Sequence, residues 1–164
     1  MIRQLATGIA IMALGLASSP VRAAPPASPD AVAGVWTPES IPWQAAAPNG
    51  TKYALLEGDR DKAGGVFTYA FFVPAGVWDT PHRHSTTARV FVLKGALSLG
   101  YGTEMDKTRA RTFAAGSLVI VPGGAAHFDG ADVDTIIVGV ATGPWSTTYV
   151  DGSKPASAGT PVSR

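Results

Sequence analysis

Between residues 36 and 151 the chain is a succession of short β-branched and aromatic runs, each cut off by glycine or proline. Residues 66–73 (VFTYAFFV) stop at Pro74 and Gly76. Residues 89–93 turn at Lys94-Gly95 and return as residues 96–101. The fully apolar residues 118–121 end at Pro122-Gly123-Gly124. Shorter runs at 53–56, 82–84, 111–113, 126–128, 135–141 and 146–150 complete the series. Closely spaced strands separated by such turns point to an all-β sandwich or barrel. No segment keeps a 3.6-residue apolar period over three turns, and residues 106–111 make one helical turn at most.

The length, 164 residues, fits one domain. With no cysteine, disulfides, thiolate metal sites and thiol catalysis are excluded. The formal net charge is +1 and no window clusters Lys and Arg, so nucleic acid is not an expected partner. Arg3, the uncharged apolar residues 5–16 and the small-residue end at Val21-Arg22-Ala23 have the form of a secretory signal peptide over residues 1–23. An uncleaved membrane anchor is the alternative, but the apolar stretch is short for a span of about 20 residues. There is no lipobox cysteine and no twin-arginine pair. The expected product is periplasmic or secreted, free of the membrane once the leader is removed. Residues 24–35 read as a Pro/Ala-rich arm or linker, 36–151 as the folded domain and 152–164 as a flexible tail.

The chain has three histidines, His82, His84 and His127. On a strand, an H-x-H pair places both imidazoles on one face, ready to chelate. Imidazole suits Zn, Cu, Fe and Ni. Taken alone the pair is a weak signal and reads first as two surface histidines in a loop. Its surroundings resemble the cupin superfamily. The first cupin motif, G-x5-H-x-H-x3-E-x6-G, is matched in spacing by Gly76, His82, His84, Ala88 and Gly95. The second, G-x5-P-x-G-x2-H-x3-N, is matched by Gly116, Pro122, Gly124, His127 and Ala131. Only Ala88 and Ala131 depart from the motif residues, replacing Glu and Asn. The resemblance implies a single-domain jelly-roll β-barrel in which His82, His84 and His127 bind one divalent transition metal (Fe, Zn, Mn or Ni).

With Ala88 in place of the motif glutamate, the metal would keep its full charge and up to three open positions. Strand alternation sends Ala88, Val90 and Val92 to one face and Arg89, Phe91 and Leu93 to the other, so Arg89 faces the site only if a bulge intervenes. Asp129, two residues after His127, is a fourth ligand, an acceptor from an imidazole N–H, a general base, or a turn residue in Asp129-Gly130. Asp79 precedes His82 by three, and parity points it away. Tyr101 is a candidate acid or base. Ser85, Thr86 and Thr87 invite a serine triad, but nothing resembles a nucleophile elbow. Trp78, Phe71, Tyr69 and Phe128 line a pocket mouth or fill the core.

Two classes of function remain. One is a metal-dependent enzyme on a small polar or anionic molecule, with dioxygenase-like chemistry, as in three-histidine cupins, ahead of a lyase or isomerase. Export weighs against iron, because Zn and Cu compete strongly outside the cytoplasm. The other is a non-catalytic periplasmic module that binds or senses a metal or small molecule. A homodimer is expected, with the N-terminal arm and the outward Phe91 and Leu93 as candidate contacts.

Overall fold

The structure is a computed structural model that describes residues 34–152. The expected signal peptide, nearly all of the arm and all but the first residue of the tail lie outside the described residues. One compact unit begins at Val35. Ten strands run through it: β1 (Lys52–Glu57), β2 (Val66–Val73), β3 (Trp78–His84), β4 (Ala88–Lys94), β5 (Ala96–Tyr101), β6 (Arg111–Ala114), β7 (Leu118–Val121), β8 (His127–Gly130), β9 (Thr135–Thr142) and β10 (Thr147–Tyr149). The only helical element among the described residues is a 3-10 turn, Lys107–Arg109, capped by the Asp106 carboxylate accepting from the Thr108 N–H. The strands form two antiparallel five-stranded sheets, ordered β1-β2-β9-β4-β7 and β10-β3-β8-β5-β6. The all-β jelly-roll expectation holds.

The sheets form because side chains alternate. Along β4, Ala88, Val90 and Val92 are buried and Arg89, Phe91 and Leu93 are exposed. The inward residues meet Leu97 and Leu99 of β5, Val119 and Val121 of β7 and Ile137 of β9 in one apolar cluster. Each such side chain contributes about 1.5–3 kcal/mol by leaving water. The β4–β5 hairpin turns at Gly95, whose φ is +77° and whose missing Cβ would meet the Asp134 carbonyl oxygen at 2.5 Å. Arg89 therefore points outward, as alternation requires.

The decisive irregularity lies in β3. It begins at Trp78, four residues before the expected strand, and lies between β8 and β10. Asp79 pairs with Asp129, and His82 pairs with His127, so three residues of β3 oppose two of β8. This is a one-residue bulge, and it contains Pro81, which has no N–H to give to a ladder.

Candidate metal centre

The β3–β8 register places His82 directly opposite His127, and β10 flanks the other side, with Tyr149 opposite His82 and Thr147 opposite His84. The three imidazoles converge inside the barrel. Ring centroids of His82 and His127 are 4.2 Å apart, and His84 lies 4.9 Å from each. One nitrogen from each ring lies within 4.8 Å of the others. The tautomers follow from the outer partners. His82 Nδ1 lies 2.7 Å from the Thr80 carbonyl oxygen and His127 Nδ1 3.0 Å from that of Ala125. A carbonyl only accepts, so both Nδ1 atoms carry the proton and both Nε2 lone pairs are free. His84 Nδ1 lies 3.1 Å from the Thr147 hydroxyl, which likewise leaves its Nε2 toward the centre. This donor set fits a divalent transition metal: three imidazoles with fixed ring orientation.

Burial disfavours the charged form of His84 and His127. It pushes the His84 pKa down to about 2, helped by the neighbouring His82 and His127. It pushes His127 down to about 4, helped by His82 and opposed by the bond to Ala125 and by Asp79.

Two carboxylates stand beside the rings. Asp129 lies in β8 rather than in a turn, and its Oδ2 is 3.8 Å from His82 Nε2 and 3.9 Å from His127 Nε2. Gly130 is there because its Cβ would meet the Trp78 ring at 2.5 Å, so the Asp-Gly pair serves packing and not a turn. Asp79 overturns the parity argument. The bulge shifts it to the inner side, with Oδ2 3.7 Å from His82 Nδ1 and its oxygens 2.8 and 2.7 Å from the Tyr149 hydroxyl, which donates to them. Burial raises both carboxyl pKa values, and for Asp79 the nearby Asp129 raises it further.

The histidines open on a cavity of about 450 Å3. Its wall includes Ala88, Val90, Leu97 and Ile137 from the core, and the aromatic rings of Tyr53, Phe67, Tyr69, Phe71 and Trp145. Ala88 thus faces the site, as its motif position implies. Trp145 lies against the His84 ring, with centroids 4.4 Å apart and planes at 30°. Trp78, Phe71 and Tyr69 line the cavity as anticipated, whereas Phe128 is core, 1% exposed and packed against Trp78. The wall is mixed, so the expected ligand, small and polar or anionic, meets aromatic rings as well as the polar side chains of Arg60, Asp79 and Asp129.

Tyr101 pairs with His127 across β5 and β8 but is 45% exposed and absent from the cavity wall. Its hydroxyl donates to the Ile120 carbonyl of the other sheet at 3.3 Å, which makes it a strut between sheets. The Ser85 and Thr86 hydroxyls donate to the carbonyls of Pro144 and Thr142, and Thr87 Oγ1 accepts from the Gly123 N–H. They tie loops together, and none serves a triad. Sequence reasoning missed Trp145, Tyr149, Tyr53 and Arg60 as site residues. For Tyr149 the signal was present: β10 had to pair beside the H-x-H strand.

A double antiparallel sheet enclosing a three-histidine pocket defines a cupin. The chain belongs to the ChrR cupin-like domain family, whose model matches residues 32–146. Among solved structures it resembles the polyketide cyclase RemF from Streptomyces resistomycificus, with a TM-score of 0.53 and 19% identity over 68% of this chain and 80% of that one. It also resembles KdgF from Halomonas sp., with a TM-score of 0.51 and 16% identity over 68% of this chain and 94% of that one. At such identities the likeness is one of fold. Germin-like protein 5-1 of Oryza sativa subsp. japonica is 37% identical over 65 residues, 39% of this chain and 29% of that protein. The rhicadhesin receptor of Pisum sativum is 36% identical over 72 residues, 42% of this chain and 33% of that protein. The chain spans no more than a third of the length of these plant relatives.

Proposed function

We propose that the protein is an exported, metal-dependent cupin enzyme that holds one divalent transition metal on His82, His84 and His127 and acts on a small molecule with a chelating polar end and an apolar body. Dioxygenase-like chemistry is favoured over a lyase or isomerase reaction. The observation that carries this reading is the convergence of three imidazoles, two of them with their tautomer fixed, on a cavity with aromatic walls large enough for a ring-sized molecule.

When bound, the metal would supply Lewis acidity and open positions for substrate oxygens and dioxygen. The protein's own residues do the rest. Thr80, Ala125 and Thr147 hold the rings through their outer nitrogens. The apolar wall excludes water from a bound substrate. Asp129 Oδ2, beside two of the three imidazole Nε2 atoms, is placed to take the proton of a chelating hydroxyl. Asp129 also favours an enzyme over a passive binding module, because mere capture of an anion gains nothing from a carboxylate at the site. The leader-like residues 1–23 support export, and the exposed Phe91 and Leu93 support a homodimer.

The test is metal content. The chain is expressed with its first 23 residues, purified without an affinity tag and measured by mass spectrometry beside a His82→Ala/His84→Ala variant. About one metal per chain, lost in the variant, supports the reading. Iron then directs oxygen-consumption assays, and zinc, manganese or nickel directs lyase and isomerase assays. No metal after reconstitution with each ion would refute it.

A further inference from the structure

The cavity contains a second polar group of residues that the metal chemistry leaves unused. Tyr53, on β1, is 8% exposed and lines the cavity. Its hydroxyl is fully buried and finds no acceptor for its proton in the protein. The ring is held in place by Tyr69, stacked at 6.4 Å and 24°, and by Phe71 at 5.2 Å. Arg60 lines the same cavity and stands close enough to Tyr53 to oppose the upward pKa shift that burial imposes on the phenol. An arginine can only donate, so Arg60 cannot satisfy the hydroxyl proton. The guanidinium itself has no ion pair among the described residues.

Arg60 is anchored by its backbone. Its carbonyl accepts the Trp145 N–H at 2.9 Å, and Trp145 is the ring that covers His84. Two donors, one of them cationic, therefore line the cavity with no carboxylate paired to Arg60 and no acceptor bonded to the Tyr53 hydroxyl. A buried donor left in this way is a standing cost to the fold, and an acceptor from a ligand removes it.

The polarity of the cavity sets the ligand's direction. Asp79 and Asp129 flank the histidines and repel an anion that has no metal to neutralise them. Arg60 attracts one. Its planar fork suits a carboxylate better than a single carbonyl oxygen.

We propose that Tyr53 and Arg60 form an anion-binding subsite of this cavity, which takes the carboxylate of an aromatic or similarly apolar-bodied acid lying against Tyr69, Phe71 and Trp145. This deepens the enzyme reading and rests on it for the metal-facing end of the ligand. The carboxylate preference itself does not need the metal.

The experiment is calorimetric titration of the full chain at pH 7, as purified and after chelation of metal. The probes are benzoate, phenylacetate and 3-phenylpropionate, each beside its primary amide, so that ring-to-carboxylate spacing is varied. The expected result is at least a tenfold preference for the acid over the amide for one member of the series, present also in the metal-stripped protein. Arg60→Gln removes that preference. Tyr53→Phe weakens the acid about threefold or more and leaves the amide unchanged. The melting temperature of Tyr53→Phe is equal to wild type or higher, since an unsatisfied hydroxyl has gone. Metal content is the same in both variants.

Acid-to-amide ratios near one throughout, or no binding of any probe, would overturn the subsite. So would a preference that survives Arg60→Gln and vanishes on chelation, which would assign the carboxylate to the metal. A wild type that carries no metal but keeps an Arg60-dependent preference refutes the enzyme reading alone and leaves the subsite standing.

Discussion

Asp79 stands opposite Asp129 in the β3–β8 register, and the two carboxylates approach different nitrogens of one imidazole, 3.7 Å from His82 Nδ1 and 3.8 Å from His82 Nε2. The arrangement depends on the bulge between Asp79 and His82. A regular strand would send Asp79 to the outside of the barrel. Desolvation is the main cause that raises both pKa values, and the nearby Asp129 raises that of Asp79 further. A cation among the imidazoles reverses that penalty, so the pair is suited to a metal-loaded state.

Asp129→Asn tests this directly. In the metal-free protein at pH 7 the substitution removes a carboxylate that burial disfavours, so the melting temperature should rise by a few degrees, on the order of 1 kcal/mol. In the metal-loaded protein it removes the proton acceptor, so turnover should fall by about 100-fold or more. Thermal melts with and without chelator, alongside turnover, check both signs. An unchanged turnover would remove Asp129 from the chemistry.

Most of the strand positions and the histidine set were legible in the sequence, because both rest on spacing. Glycine and proline mark turns in a local, composition-driven way, and the motif glycines fix where His127 returns beside His82. What escaped was non-local. The bulge is hinted at only by Pro81, and its effect on Asp79 needs the β8 register. Asp129-Gly130 looks like a turn until the Trp78 ring is seen to occupy the space above Gly130. Arg60 and Tyr53 reach the cavity from the β1–β2 region, with no motif to announce them. Tyr101 shows the converse: correct pairing opposite His127, but a hydroxyl committed to Ile120.

Ala88→Glu would restore the motif carboxylate. Ala88 is 1% exposed and faces the cavity, which has room for the longer side chain. In the metal-free protein a buried, unpaired carboxylate should cost about 2–3 kcal/mol. With metal present the same group adds an anionic ligand, and affinity should rise about tenfold, close to 1.4 kcal/mol. Competition against a chromophoric chelator measures the affinity and denaturant melts measure the cost. A weaker site in the variant would mean that Ala88 does not face the metal.

The histidines predict an asymmetric pH response. His127 is held near a pKa of about 4 and His84 near about 2, against about 6.5 in an unfolded chain. A depressed histidine pKa means that the unfolded chain binds more protons below pH 6.5, so stability rises with pH across that window. The metal-free protein should therefore lose stability as the pH falls from about 6.5 to about 4. Asp79 and Asp129, with raised pKa values, act oppositely: their share is lost as pH rises through those values. Comparison with His127→Gln isolates the histidine share, and the variant should lose less stability on acidification. Metal binding should persist to about pH 5, because protons do not compete for His84 and His127 there. A binding curve that collapses near pH 6.5 would contradict the burial argument.

The outer face of β4 and β7 carries the last prediction. Phe91 is 45% exposed and pairs with Leu118, which is 51% exposed; Ile120 beside them is 54% exposed. Leu93, at 43%, extends the row along β4. β7 is also an edge strand of its sheet. A contiguous apolar strip beside an open edge marks an association surface. Light scattering should therefore give the mass of a dimer for wild type and of a monomer for Phe91→Lys/Leu118→Lys. Both substituted side chains point to solvent, so the monomer should keep its metal and its fold. A wild type that is monomeric at about 100 times the assay concentration would place the dimer contact out of reach of this surface, while a variant that remains dimeric would locate it elsewhere.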